Sequence, residues 1–457
     1  MSSTFDVIIM GGGPGGYFAA QEAAKAGLKT AVFEEVHMGG TCLNEGCVPT
    51  KTLLNSVKIY KHAKDGANIG VKATGLEYDH TAAVARKEAV IKMLVSGVDR
   101  SVKKAGAEII RKRAVIKEKS AEGFVVEADG ECYTGKNLII ATGSVTSVPP
   151  IEGLKEALES GFCVTSRELL NLQEVPKHLC IIGAGVIGLE FASYFSAAGS
   201  KVTMIEMLDH IGVNFESELS SLMQKKLEKA GAEFFLSSAV KSLTADSVCY
   251  EKDGQMCEVK PDLVMLCIGR RPNSAGIGYE NIKVVAERGA IQTDCHMQTN
   301  VPGVYAVGDV NGKIALAHTA YREAAVAVNH ILGIKDTMRY DAIPAVIYSD
   351  PELASVGYTL ENAKAAGYDA KAVRVDANFS GRFLAENEGG EGFLKIIVDK
   401  KSERVLGMHV CSTYASEFIA QGALAVEAGL TIRDLKEIVY PHPTVCELIR
   451  EAAFSYK

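Results

Sequence analysis

Two stretches of the chain share one pattern of apolar and polar positions. "FDVIIM" (5–10) is an apolar run of strand length that stops at "GGGPGG" (11–16), and "YFAAQEAAKAG" then carries helical composition as far as Gly27. A second apolar run, "KTAVFE", ends at Glu34. The stretch "KHLCIIGAGVIGLEFASYFSAAGSKVTMIE" repeats all of this: Gly183, Gly185, Gly188, Ala192, Gly199 and Glu206 each stand 172 residues after Gly11, Gly13, Gly16, Ala20, Gly27 and Glu34. Unrelated turns would not reproduce six positions in register, so the pattern predicts two copies of one strand–turn–helix–strand unit.

The chemistry of such a unit is set by its turn. Gly11 permits the tight bend, Gly13 lets a pyrophosphate approach the backbone, and Gly16 lets helix and strand pack closely. The helix N-terminus faces the phosphates with its partial positive charge. Glu34 and Glu206, about 20 residues on, are placed to accept hydrogen bonds from ribose hydroxyls. "TMIEMLDH" offers no arginine for a 2′-phosphate, so NAD is favoured over NADP at the second site. Two cradles imply two dinucleotides, and electron transfer between a flavin and a nicotinamide uses both.

Periodicity along the rest of the chain predicts an α/β protein: two Rossmann-like dinucleotide-binding domains and a C-terminal α+β domain, whose interface role is implied only by the resemblance given below. Residues 1–148 read as the flavin domain, with a helical stretch near 81–106, and "VPPIEG" (148–153) as its exit. Residues 149–270 read as the NAD domain, 271–341 as a central segment returning to the first, and 342–457 as a third domain, which the resemblance set out below implies is the dimerisation domain. "RSVKKAGAEIIRKR" (100–113) follows a helical pattern and reads as a solvated face without a partner.

Composition narrows the classes. Across 457 residues, 47% hydrophobic and 23% charged, the chain has the balance of a folded globular protein, and a net charge of −7 gives no basic field for nucleic acid. No apolar run is long enough to span a bilayer, and "MSSTFDVIIMGGGP" enters a strand without a signal-like segment. Eleven scattered cysteines lack the density of a secreted disulfide scaffold, which points to a soluble, reducing, cytoplasmic setting.

"GGTCLNEGCVPTK" (39–51) places Cys42 and Cys47 five positions apart. No second pair stands nearby to complete a zinc site, and no metal is expected. Residues five apart on a regular helix lie beyond the usual bridging separation, so a disulfide there requires a local break, for which Gly46 and Pro49 give the means. Spacing alone disfavours zinc and a static staple without establishing a redox pair. Near the other end, "YPHPTVCE" sets His442 five residues before Glu447, the residue types of a base and the carboxylate that orients it. Cys446 reads as a buried helix thiol.

"GGTCLNEGCVPTK" resembles the redox-active segment of the FAD-dependent pyridine nucleotide–disulfide oxidoreductases, specifically their dihydrolipoamide-oxidising branch. The resemblance runs over essentially the whole chain through both cradles, "ATG" (141–143), "IGRRPN" (268–273), "VYAVGDV" (304–310), "PAVIYSDPELASVG" (344–357) and "HPTVCE" (442–447). It implies that Cys47 is the flavin-proximal sulfur and Cys42 the interchange thiol. It implies that Lys51 lies near the flavin and pairs with Glu190, and that Asp309 holds the flavin ribityl chain. It also implies that Thr142, Gly143 and Gly269 line cofactor sites, and that His442 and Glu447 reach the cysteines of a second subunit in a homodimer. The expected reaction is oxidation of dihydrolipoamide carried on a lipoyl-bearing protein, with NAD reduced to NADH, in a 2-oxo acid dehydrogenase or glycine cleavage complex. "YPHPT" departs from the frequent "HAHPT". The competing readings are glutathione-type or mercuric reductases and a non-catalytic scaffold; Glu206 opposes the first, the chain end "AAFSYK" the second, and the Cys–Cys–His–Glu set the third.

Overall fold

The computed structural model describes residues 3–213, 215–387 and 389–457. The chain packs as two units, each built from several segments. Met1–Thr52, Val84–Pro149 and Gly269–Arg339 form the first; Leu53–Ala83, Pro150–Ile268 and Tyr340–Lys457 form the second.

The first unit is organised on a seven-stranded sheet. Its parallel part runs Glu108–Ile110, Thr30–Phe33, Ser3–Met10, Glu131–Ile140, and Val304–Ala306 pairs in parallel with the end of the last. An antiparallel meander, Val115–Lys119 and Phe124–Ala128, continues from Glu131–Ile140. Val7, Ile8 and Ile9 are fully buried, as continuous apolar strands covered on both faces must be. The helices Pro14–Lys25 and Ala317–Ile331 pack against each other beside the sheet. The segment read as helical over 100–113 is corrected here. The long helix His80–Ala105 stops at Gly106, whose φ is +99°, and Glu108–Ile110 joins the sheet edge beside Thr30–Phe33. Strand pairing at that edge overrides the helical periodicity of the sequence.

The second unit holds three sheets. Glu233–Phe235, Lys201–Ile205, His178–Ile182, Leu263–Leu266 and Cys163–Val164 form a five-stranded parallel sheet, the repeat of the first unit's core. A three-stranded antiparallel sheet, Ser238–Leu243, Val248–Lys252 and Gln255–Val259, follows it. The C-terminal part is a five-stranded antiparallel sheet in the order Ala345–Ile347, Glu352–Gly357, Val405–Ser412, Phe393–Asp399, Ala370–Asp376, packed against the helices Ala415–Ala428 and Leu448–Ser455. Parallel sheets with helices and a separate antiparallel sheet are the α/β and α+β architecture that the sequence pattern predicts. No helix among the described residues is long and apolar enough to cross a membrane.

Candidate active site

The two glycine turns are superimposable in their constraints. Gly11 has φ +102° and a Cβ on it would lie 2.3 Å from Ala141 O; Gly183 has φ +104° and a Cβ would lie 2.4 Å from Cys267 O. Both close approaches are to backbone, so no side chain can make room. The helices Pro14–Lys25 and Val186–Ala198 begin at Gly13 and Gly185, and neither has a side-chain cap. Their first amides therefore remain for a ligand's oxygens, as a phosphate cradle requires.

Each carboxylate at the end of the second strand closes its own turn. Glu34 Oε2 accepts from Gly12 N at 2.8 Å and Oε1 from Val36 N at 2.9 Å. Glu206 Oε2 accepts from Ala184 N at 2.7 Å and Oε1 from Leu208 N at 2.9 Å. Four backbone amides thus fix the two residues that face ribose in a dinucleotide unit, and the cradle geometry fits a dinucleotide in each.

In the first unit, "ATG" and "IGRRPN" come together although about 130 residues separate them. Ser144–Thr146 pairs antiparallel with Arg270–Pro272, and Asn273 N donates to Gly143 O at 2.9 Å while Thr142 Oγ1 donates to Asn273 O at 2.7 Å. Ser144 Oγ donates to Asp309 Oδ2 at 2.5 Å and accepts from Arg270 Nε at 2.8 Å. Asp309 opens a short 3-10 turn after Gly308. Beneath it the fully buried Glu323 accepts from Gly308 N at 2.6 Å and Asn311 Nδ2 at 2.9 Å. Ser144, Arg270 and Glu323 were not singled out in the sequence; the first two adjoin or lie within recognised motifs, and Glu323 has no local signal.

The cysteine segment breaks where the spacing demands. One short helix, Gly40–Asn44, carries Cys42; the next, Cys47–Asp65, begins at Cys47, and Pro49 lies in its first turn, where no amide hydrogen is missed. At the break a Cβ on Gly46 would meet Thr41 O at 3.1 Å. Cys42 and Cys47 are both thiols, hydrogen-bonded side chain to side chain. That bond, then burial, pushes the Cys42 thiol well above its ordinary range, and the Lys51 ammonium, one turn beyond Cys47, acts in the opposite sense.

In the second unit Glu190 is buried and its Oε1 accepts from Tyr348 N at 3.1 Å. His442 and Glu447 meet: Nδ1 lies 2.9 and 3.2 Å from the two carboxylate oxygens. A carboxylate only accepts, so Nδ1 carries the proton and Nε2 is left as the basic nitrogen. Thr444 N donates to Glu447 at 2.8 Å, which fixes the carboxylate. The His442 side chain is 78% exposed, the Glu447 side chain 15%. Two features of this segment differ from expectation or explain it. Cys446 is a half-buried thiol in a 3-10 turn bonded with Thr444 Oγ1, not a buried helix thiol. Tyr440, at the departure from "HAHPT", packs on the core of the antiparallel sheet and donates to Leu435 O at 3.4 Å.

Comparison with known proteins agrees with this geometry. The family described as pyridine nucleotide-disulphide oxidoreductase matches residues 5–324, and its dimerisation domain matches residues 343–453. The chain is 37% identical over 453 residues to the dihydrolipoyl dehydrogenase of Geobacillus stearothermophilus, covering 98% of this chain and 95% of that one. It is 36% identical over 450 residues to that of Mycoplasma pneumoniae, covering 98% and 97%. Among solved structures, the Cu(II) complex of the HOCl-induced flavoprotein disulfide reductase RclA from Escherichia coli matches with a TM-score of 0.87 and 27% identity, over 100% of both chains. LpdA from Mycobacterium tuberculosis shares the fold, with a TM-score of 0.88 at 24% identity over 99% of both.

Proposed function

This chain belongs to the pyridine nucleotide-disulphide oxidoreductase family, and from that premise we propose that it is a dihydrolipoyl dehydrogenase whose reacting pair is Cys42–Cys47. As a member of that family it is an oxidoreductase that binds FAD and uses NAD. The FAD cradle is Gly11, Gly13, Gly16 and Glu34, with Thr142, Gly143, Lys51 and Asp309 along the cofactor. The NAD cradle is Gly183, Gly185, Gly188 and Glu206, with Gly269 beside it. We assign residues 1–148 to the FAD domain, 149–270 to the NAD domain, 271–341 to the central segment and 342–457 to the dimerisation domain.

In this reading a dihydrolipoyl arm loses a proton to Nε2 of His442, and Glu447 stabilises the imidazolium that results. The substrate thiolate attacks Cys42 of the Cys42–Cys47 disulfide, and Cys47 leaves as a thiolate. The second substrate thiol then displaces Cys42, releasing the cyclic disulfide and leaving the protein as the dithiol. Lys51 holds the negative charge near the sulfurs. FAD, held by the first cradle with Lys51 and Asp309 along it, would supply the two-electron redox chemistry that links the dithiol to NAD. His442 and Glu447 serve the cysteines of the partner subunit in a homodimer. The lipoyl arm belongs to a multienzyme complex, and the setting is cytoplasmic.

One observation supports the reading best: two free cysteines set on either side of a helix break, with Lys51 one turn beyond the second. Anaerobic stopped flow tests it. Dihydrolipoamide should produce long-wavelength thiolate–flavin absorbance in the native enzyme, and Cys47→Ser should abolish it. Turnover of glutathione disulfide with NADPH in place of this reaction would sink the assignment.

A further inference from the structure

The base in the cycle above stands on a turn that can hold itself only in part. Pro441 and Pro443 flank His442, and neither has an N–H to give to a backbone bond. The His442 side chain is largely exposed, so little packing fixes the ring. Thr444 orders the turn, and three of its groups are engaged. Its Oγ1 donates to Pro441 O at 2.8 Å, its N donates to Glu447 Oε2 at 2.8 Å, and its carbonyl oxygen accepts from Ser380 Oγ at 2.9 Å. The first two bonds lie within the turn; the third comes from a residue 64 positions earlier in the chain.

Ser380 is itself held on every side. It is buried, its N donates to Ala377 O at 2.9 Å, and its carbonyl oxygen accepts from Leu384 N at 3.1 Å. Ala377, fully buried, donates in turn from its N to Gly392 O at 2.8 Å, and Gly392 leads directly into the strand Phe393–Asp399. The serine is also the N-cap of the short helix Gly381–Glu386, its Oγ accepting from Phe383 N at 3.2 Å. A hydroxyl has one proton to give, and with the Phe383 amide on its lone pair that proton goes to Thr444 O. Phe383 and Val445, neighbours of these two groups in the chain, are buried in one core with the antiparallel sheet. The donor is therefore part of the sheet's frame, and the acceptor is part of the turn that carries the base.

We propose that Ser380 is a positioning residue for the base: by donating to Thr444 O it ties the turn to the sheet, keeps Thr444 N on Glu447, and so keeps the Glu447 carboxylate on Nδ1 of His442. Thr444 N and O are the two ends of one residue, so a carbonyl held by Ser380 sets the direction of the amide. Without the hydroxyl the Thr444 carbonyl loses its partner, the amide is free to turn from the carboxylate, and the imidazole loses its fixed direction. Proton transfer then suffers, because a base works only within hydrogen-bond reach of the proton it takes. The inference rests on the role of His442 given under the proposed function.

The test compares two reductions of the FAD-loaded enzyme in anaerobic stopped flow, both read as growth of the long-wavelength thiolate–flavin absorbance. Dihydrolipoamide must lose a proton to His442; NADH brings no thiol and needs no such base. Ser380→Ala should slow reduction by saturating dihydrolipoamide by about five- to tenfold, the factor that one ordinary hydrogen bond is worth, and leave reduction by NADH at the native rate. Ser380→Gly also lacks the hydroxyl but keeps a favourable N-cap residue, so it gives the same result if the alanine variant folds poorly; bound FAD per chain reports folding for each. In a Glu447→Ala background Ser380→Ala should add no further slowing, because it acts through that carboxylate. A loaded Ser380 variant that reacts with dihydrolipoamide at the native rate, that slows both reductions alike, or that slows the Glu447→Ala enzyme further overturns this proposal alone. Reduction of His442→Gln by dihydrolipoamide at the native rate overturns instead the reading of His442 beneath it.

Discussion

Lys395 Nζ lies 2.5 Å from Glu216 Oε1, and both side chains are buried. Lys395 sits in a strand, Phe393–Asp399, in which every residue is buried, flanked across the sheet by His409 and Arg374. Glu216 is at the same time the N-cap of the helix Ser217–Lys229, accepting from Glu218 N at 2.9 Å and Leu219 N at 3.3 Å. One carboxylate thus ends a helix of the nucleotide-binding part and neutralises a cation in the antiparallel sheet.

Breaking such a pair from one side strands a charge without water. Lys395→Met should lower unfolding stability by about 3–5 kcal/mol. Adding Glu216→Gln, which keeps an acceptor for the helix amides, should recover most of the loss. Urea unfolding of the two variants measures the difference, and equal midpoints would mean that the pair is not coupled.

The first glycine turn, proposed above to hold FAD, makes a sharper structural demand than its glycine count suggests. Gly11→Ala puts a methyl 2.3 Å from a backbone oxygen at φ +102°, so the purified variant should lack bound FAD. Gly27 has φ +86° but nothing within 4 Å of its Cβ. Gly27→Ala should therefore cost only the left-handed backbone strain, about 1–2 kcal/mol, and keep its flavin. The ratio of flavin to protein absorbance separates the two.

What could be read in the sequence was whatever the local backbone imposes. Glycines that admit no side chain, a carboxylate about 20 residues on, and a proline after a helix break all leave fixed spacings. Contacts made by folding leave none. Tyr17 and Tyr321 are 304 residues apart, Ser144 and Asp309 165, Lys395 and Glu216 179. Apart from Asp309, which its motif marks, each of these residues, seen in its own stretch, is an ordinary helix, strand or capping residue. The misread helix over 100–113 has the same cause: Glu108–Ile110 is a strand because Thr30–Phe33 lies beside it, its partners 77 residues earlier in the chain.

In the proposed function, cofactor choice at the second cradle turns on Glu206. Its carboxylate is already oriented by Ala184 N and Leu208 N, so its place is set before any ligand arrives. Glu206→Arg removes a charged acceptor for ribose hydroxyls, a contact of about 1.5–3 kcal/mol. KM for NAD should rise by about one to two orders of magnitude with a much smaller change in kcat, and NADP should begin to turn over. Steady-state kinetics with both nucleotides decides it; an unchanged KM for NAD would remove Glu206 from the site.

The last prediction concerns acid. Burial alone would raise the Glu447 carboxyl, but the Thr444 amide, the His442 hydrogen bond and the His442 charge outweigh it and hold the group below its ordinary value of 4.5. For a depressed carboxyl, the stability it contributes is complete above the unfolded value and is lost as pH falls through the lower, folded one. Glu447→Gln keeps an acceptor for His442 Nδ1 but has no charge to titrate. The variant should unfold at a lower temperature than the native enzyme at neutral pH, and the gap should close as the pH drops below about 4.5. Catalysis should respond in the order of contact: His442→Gln removes the base and lowers kcat by about 10²–10⁴-fold, whereas Glu447→Gln leaves the imidazole in place and lowers it less. Thermal unfolding at a series of pH values, with kcat for dihydrolipoamide at neutral pH, checks both halves. A gap that widens in acid would mean that Glu447 binds its proton more tightly in the folded chain, and the orienting role given to its carboxylate would fail with it.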